Sequence, residues 1–204
     1  MAAQWPLYIT TVGAFLNDPA EGRTEEDVAE KLATEYKKAV TTVFTVAPAG
    51  INKPSQLPSI NPMKRAIRKS LEDIKESEGE PKLFHFDKWA KEVTKFWLKT
   101  KFSAIVPDPL HLASTTGMPG ITLPITNVVL NGGVLPALQA DLLTAFTNPP
   151  SPVPNGIPVA GKLAKAFTTH LTTVGGTHTM AVTSGTPLSP IPIPALPIPW
   201  IQLV

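Results

Sequence analysis

The chain has 204 residues, a formal net charge of +2, no cysteine and 23 prolines. The lack of cysteine excludes disulfides, thiolate catalysis and cysteine-ligated zinc. The near-neutral charge gives no general attraction for nucleic acid, so we expect no direct nucleic-acid contact. The chain does not start with a basic segment ahead of an apolar run, and prolines interrupt its uncharged C-terminal stretch. We therefore predict a soluble protein with no signal peptide and no membrane contact.

Charge and proline divide the chain into two halves. Residues 1–105 carry all but four of the Asp, Glu, Lys and Arg side chains, whereas residues 106–204 carry 16 of the 23 prolines. This distribution predicts a mainly α-helical N-terminal half and an irregular, Pro-rich C-terminal half with two helices, short strands and an extended arm. We divide the chain into a charged helical region (1–105), a Pro/Gly-rich mixed region packed on it (106–186) and the C-terminal arm (187–204).

Apolar residues at helical spacing predict two helices near the start of the chain. The first begins at Trp5-Pro6, because proline suits a first helical turn, and continues to about Leu16. The second runs from about Glu25 to Val43. Thr24 is its predicted N-cap, and the acidic residues that follow are stabilised in the first turn by the helix dipole.

Two more helices are predicted before residue 105. One opens at Asn61-Pro62, with Asn61 as the cap and proline at the first helical position. The other begins near Asp87, and its aromatic residues at helical spacing are assigned to the core: Trp89, Phe96 and Trp97. Its predicted polar face consists of Lys88, Lys91, Glu92, Lys95 and Lys99.

Basic residues cluster on the helix that opens at Asn61. They are Lys64, Arg65, Arg68, Lys69 and Lys75. The cluster could contact a nucleic-acid backbone or an acidic neighbour. We favour a third interpretation, in which these cations form a solvated face that nearby glutamates balance.

The C-terminal half has weaker patterns. Apolar residues at helical spacing predict one helix from Leu135 to Phe146 and another from Leu163 to Val174. The Pro-rich segment 148–156 between them cannot be helical. Residues 104–109 and 117–127 suit extended or polyproline conformations, and residues 177–183 suit a short strand.

No motif predicts catalysis, a metal site or a cofactor. The four histidines, His85, His111, His170 and His178, have no second histidine or carboxylate at metal-ligand spacing on a predicted helix. We assign each of them a structural role and expect His170 to bond a backbone carbonyl. Phosphate-loop and serine-nucleophile patterns are absent from the sequence. We therefore predict that the chain is not an enzyme and has no cofactor.

The C-terminal arm gives the most specific functional signal. Isoleucine and leucine alternate with proline there, so the arm is pre-organised as an extended segment and loses little entropy on docking. We expect it to bury its apolar surface on its own subunit or on a neighbour. The predicted interface residues are Pro190, Ile191, Pro192, Ile193, Pro194, Leu196, Pro197, Ile198, Pro199 and Trp200.

Short features along the chain resemble small structural proteins of tailed bacteriophages, especially T4-like and related contractile-tail phages. These features are Trp5 with Tyr8, Glu35-Tyr36, Phe96-Trp97, Pro107-Asp-Pro109, Met118-Pro-Gly120, His170 to Gly175 and Pro199-Trp200. The resemblance implies a virion component of the neck, tail or baseplate, present in symmetric copies and assembled in the host cytoplasm. It implies no catalytic residues.

Two functional hypotheses follow. The leading one is a structural subunit of a multi-protein assembly, the phage virion that the resemblance implies, which contacts other virion proteins and copies of itself through its Pro-rich half. The alternative is a non-enzymatic binding or adaptor module that recruits a protein or glycan partner.

Overall fold

The computed structural model describes residues 3–18, 23–43, 45–46, 52–104, 121–122, 127–130, 134–147, 156–186, 189–200 and 202–203. This part of the chain is mainly helical, as the sequence predicts. Its α-helices are α1 (Trp5–Asn17), α2 (Glu25–Val40), α3 (Asn61–Glu76), α4 (Asp87–Leu98), α5 (Val134–Phe146) and α6 (Gly156–Leu171). A 3-10 turn, Leu83–Phe86, directly precedes α4. Most of the extended segments predicted at 104–109 and 117–127, and nearly all of the connection 148–156, lie outside the described residues.

The six described helices pack as a closed ring around one hydrophobic core. Each helix contacts the next along the chain, and α6 contacts α1. At the centre, the Tyr36 ring lies 4.6 Å from that of Phe167 and 5.8 Å from that of Phe96. Trp97 Nε1 donates a 2.8 Å hydrogen bond to Tyr36 Oη, so this buried polar pair is satisfied. Helices α5 and α6 therefore share their core with the four N-terminal helices. Trp89, Phe96 and Trp97 are buried in it, which confirms their assignment.

Helix α1 and the start of α6 approach each other closely. A Cβ added at Gly156 would overlap the carbonyl oxygen of Gly13 and lie 2.7 Å from Leu16 Cβ. Gly156 N also donates a 2.6 Å hydrogen bond to Asn17 Oδ1. Glycine is needed at this position because two backbones meet there.

Predicted boundaries of three helices need correction. Helix α6 begins at Gly156, within the segment predicted to be non-helical, and ends at Leu171 rather than Val174, since the β-branched residues that follow are poor helix formers. Helix α2 begins at Glu25 as predicted, with a capping box between Thr24 and Asp27, but it ends at Val40 rather than Val43. The next residues form tighter turns because the β-branched run 40–43 is a poor helix former. Asn61 is the first residue of α3 and not its cap. Its N–H donates to Ser59 Oγ at 3.2 Å, so the serine supplies the acceptor.

Strands account for the other regular elements of the described residues; six are short, β6 and β7 have 13 and 12 residues, and all the pairings are antiparallel. They are β1 (Thr45–Val46), β2 (Asn52–Gln56), β3 (Lys101–Ala104), β4 (Ile121–Thr122), β5 (Asn127–Leu130), β6 (Val174–Thr186), β7 (Ser189–Trp200) and β8 (Gln202–Leu203). Strand β1 pairs with β8 and β2 with β3, while β6 pairs with β4 and β5 on one side and with β7 on the other. None of the helices in the described part has the length and apolar character needed to cross a membrane.

Candidate functional site

Helix α3 directs its cations to two different faces. On the face toward α2, they pair with acidic residues of the first two turns of α2. The interhelical ion pairs are Lys64–Glu26 at 2.7 Å, Lys64–Glu30 at 2.5 Å, Arg68–Glu26 at 3.1 Å and Lys75–Glu25 at 2.6 Å. Hydrogen bonds from Lys64 and then Arg68 lower the pKa of Glu26, and the bond with Glu26 is the main cause of the raised pKa of Lys64. The glutamates that balance these three cations therefore belong mainly to the neighbouring helix of the same chain, and Arg68 also pairs with Glu72 of α3 at 3.2 Å.

The other face of α3 borders an open groove of about 450 Å³ between α3 and α4. Cations line both of its walls. The lining residues are Pro62, Arg65, Ala66 and Lys69 from α3, and Lys88, Lys91, Glu92 and Lys95 from α4. A smaller hollow of about 140 Å³ shares Pro62, Glu92 and Lys95 with the groove and extends it to Lys99. We call the groove together with this hollow the basic groove.

Carboxylates neutralise only half of the basic groove. Three of its lysines have acidic partners within the same helix: Lys69–Asp73 at 2.7 Å, Lys91–Asp87 at 2.6 Å and Lys95–Glu92 at 2.6 Å. Arg65, Lys88 and Lys99 are exposed and have no ion-pair partner among the residues that the structure describes. The basic groove therefore carries a local excess of three positive charges.

The lysines of α4 form a continuous stripe along one wall of the basic groove. Lys88, Lys91, Lys95 and Lys99 are three or four residues apart, which is the spacing of neighbours on one helix face. At 1.5 Å per residue the stripe is about 16 Å long. The sequence predicts this polar face, but it does not reveal that Arg65 and Lys69 face it from α3.

His85 is a structural residue that connects the ends of α3 and α4. Its Nδ1 accepts a 3.1 Å hydrogen bond from Lys82 N, so the ring proton is on Nε2, which faces Ser77 Oγ at 3.3 Å. The carbonyl of His85 also lies 2.7 Å from Ser70 Oγ. These bonds occupy the polar atoms of His85, in agreement with the predicted structural role.

His170 is buried between α4 and α6, and its predicted bond to a backbone carbonyl is wrong. Its Nε2 instead lies 3.5 Å from Thr94 Oγ1 on α4. Its Nδ1 has no hydrogen-bond partner within the described part of the chain. Because burial disfavours the charged ring, the pKa of His170 is lowered to about 4. His170 is therefore neutral at pH 7 and acts as a core residue.

The structure does not describe the side chains of the other two histidines. His111 lies outside the described residues, and His178 lies on strand β6. Within the described ranges, no three His, Asp or Glu side chains are grouped in a way that could hold a metal ion.

The predicted interface residues of the C-terminal arm lie on strand β7, which pairs only with β6 among the described strands and so forms an edge of the described sheet. Four prolines of β7 are opposite odd-numbered residues of β6: Pro190 opposite Gly185, Pro192 opposite Thr183, Pro197 opposite Thr179 and Pro199 opposite Thr177. The proline spacing changes from two to three residues after Pro194, where the register shifts by one. Because of this bulge, Pro197 and Pro199 remain opposite odd-numbered residues of β6, as the earlier prolines are.

Proline has no amide hydrogen to donate. The prolines therefore occupy the non-hydrogen-bonded positions of the β6–β7 pairing. The residues that retain an N–H, such as Ile191, Ile193 and Ile198, alternate with the prolines and are opposite even-numbered residues of β6. The outward edge of β7 therefore presents carbonyl acceptors without a regular row of donors. An ordinary β-ladder cannot extend past this edge.

Comparisons of the chain with family models, with curated proteins and with solved structures find no match. Function is therefore inferred from the molecule itself.

Proposed function

We propose that this protein is a structural subunit of a multi-protein assembly and that it binds copies of itself and other subunits through its Pro-rich C-terminal half. The particle that the sequence resemblance implies is a tailed-phage virion, with this subunit in the neck, tail or baseplate. The proposal assigns the helical ring to a rigid body and the arm, residues 187–204, to intersubunit contact.

The proline register of β7 is the observation that supports the proposal most directly. An apolar edge strand normally invites further strands to add without limit. In β7 the prolines remove the donors from the outward edge, and the sequence between them consists largely of isoleucine and leucine. Such a strand favours a finite contact made by side chains over an open-ended sheet. About 1,000 Å² of apolar contact would contribute about 25 kcal/mol before the large cost of ordering.

The test is the mass of the protein in solution with and without the arm. We expect the full chain to form oligomers larger than its 21.8 kDa monomer. A chain that ends at Ser184 should be monomeric, because it lacks the proposed contact surface. Size-exclusion chromatography with light scattering measures both masses, and far-UV circular dichroism checks that the helices remain folded.

A second variant separates the arm's apolar surface from its length. Replacing Ile191, Ile193 and Ile198 with threonine keeps the prolines and the extended backbone but removes apolar area. This variant should dissociate like the truncated chain. The proposal fails if the full chain is monomeric in the presence of its co-assembling proteins, or if truncation leaves the oligomer intact.

A further inference from the structure

The basic groove between α3 and α4 is lined by cations, whereas the arm has no charged side chain. We propose that it binds an acidic, extended peptide segment of a partner protein. The site consists of described side chains on two packed helices and does not depend on residues 187–204. It would therefore keep its ligand even if the arm has no role in assembly.

The first argument is charge. Arg65 on one wall and Lys88 and Lys99 on the other have no ion-pair partner among the described residues, whereas the cations on the opposite face of α3 are neutralised by α2. Unpaired cations on two facing walls attract a carboxylate-bearing segment that lies between them.

The second argument is shape and spacing. Pro62 and the small Ala66 line the groove together with the cations, which leaves room for a chain between the cationic walls. Lysines three or four residues apart on α4 are separated by about 4.5–6 Å along the helix axis. Alternate side chains of an extended peptide are about 6.6 Å apart on one face. Acidic residues at every second position would therefore meet successive lysines.

Two features favour an acidic peptide over nucleic acid. The aromatic ring at the site, Phe96, is only 4% exposed, so it offers no face for a base to stack on. The exposed acidic residues Glu76, Glu78 and Glu80 lie at the end of α3 and just after it, and they would repel a long polyanion that runs past this end of the helix.

The probe is a fluorescein-labelled octapeptide of alternating glutamate and serine, titrated with the full-length chain and followed by fluorescence anisotropy. A peptide of alternating glutamine and serine is the neutral control, and a 12-base-pair DNA duplex is the competing ligand class. We expect the acidic peptide to bind about tenfold more tightly than the neutral one at 50 mM NaCl. The difference should shrink at 300 mM NaCl, since the Debye length falls from about 14 Å to about 6 Å.

Matched charge reversals identify the site. Lys88→Glu and Arg65→Glu each reverse one exposed cation on opposite walls of the groove, and each should weaken binding about fivefold. Lys165→Glu makes the same charge change at an exposed position of α6, away from the groove, and should leave the affinity within about 1.5-fold. Circular dichroism of each variant checks that the fold is kept.

Several outcomes would overturn this inference. Binding of the neutral peptide as tightly as the acidic one would remove the role of charge. Equal weakening by Lys88→Glu and Lys165→Glu would show that only net charge matters. Tighter binding of the duplex than of the acidic peptide would make the groove a nucleic-acid site. Salt-sensitive self-association that Lys88→Glu abolishes would identify the occupant as a second copy of this chain. None of these results bears on the mass test of the arm, so the two proposals fail separately.

Discussion

Helices α6 and α3 are held in the ring by opposite kinds of contact. Helix α6 packs through the backbone approach at Gly156 and through buried groups such as His170 and Phe167. Helix α3 buries Met63 and Ile67, but much of its remaining contact with α2 consists of ion pairs between partly exposed side chains. The first kind of contact sets the distance between the helices, because even one added carbon atom would overlap the neighbouring helix. The second kind selects which helix faces which, and adds little to stability.

The largest change in the free energy of unfolding should come from protonation of His170. Its pKa is lowered by burial from 6.5 to about 4, so below pH 6.5 the unfolded chain binds a proton that the folded chain does not. The free energy of unfolding should therefore fall by about 3 kcal/mol as the pH drops from 6.5 to 4. Urea unfolding across this range measures the loss.

His170→Leu is the control for that experiment, because leucine fills the site without titrating. The variant should lack the loss of stability between pH 6.5 and 4 and show only what the carboxylates contribute at lower pH. An identical pH profile for both proteins would show that His170 does not take up a proton on unfolding. The contrast between the contacts of α6 and α3 would then have no support from His170.

A smaller effect is expected at the α1–α6 contact. Gly156→Ala should lower the free energy of unfolding by about 2 kcal/mol, because the added methyl group overlaps the Gly13 carbonyl and Leu16 Cβ. Gly161→Ala in the same helix meets nothing within 4 Å and should raise stability by about 0.5–1 kcal/mol. Chemical denaturation of the two variants compares them directly, and a loss of stability in both would mean that steric fit at Gly156 is not the cause.

The smallest effect is expected at the α2–α3 ion pairs. Lys64→Gln removes the cation that bridges Glu26 and Glu30, yet the unfolding midpoint should stay within experimental error, because the three side chains remain partly solvated. The wild-type midpoint should also change little between 0.1 and 1 M NaCl through these pairs. If Lys64→Gln were as destabilising as Gly156→Ala, the proposed contrast between the two kinds of helix contact would be wrong.

Much of the helical core follows from local sequence. The capping box at Thr24, the proline at the start of α1 and the aromatic spacing of α4 are contained in a few neighbouring residues, and all appear in the structure. The end of α2 and the cap of α3 were less predictable, because tight turns and a hydroxyl two residues upstream compete with regular helix geometry there. The hydrogen bond of His170 was predicted wrongly because its partner, Thr94, lies 76 residues away.

The charge of the basic groove could not be predicted from local sequence. The sequence determines that Lys64 and Arg65 are adjacent cations on one helix, about 100° apart around its axis. Only the packing of the helices decides that Lys64 faces the glutamates of α2 and Arg65 faces the lysines of α4. Side-chain charge is a property of the residue, whereas its neutralisation depends on which distant segment the core brings beside it. Local sequence therefore specifies the helices, their apolar faces and some of their caps, whereas the packing of the helices selects which charges remain available to a partner.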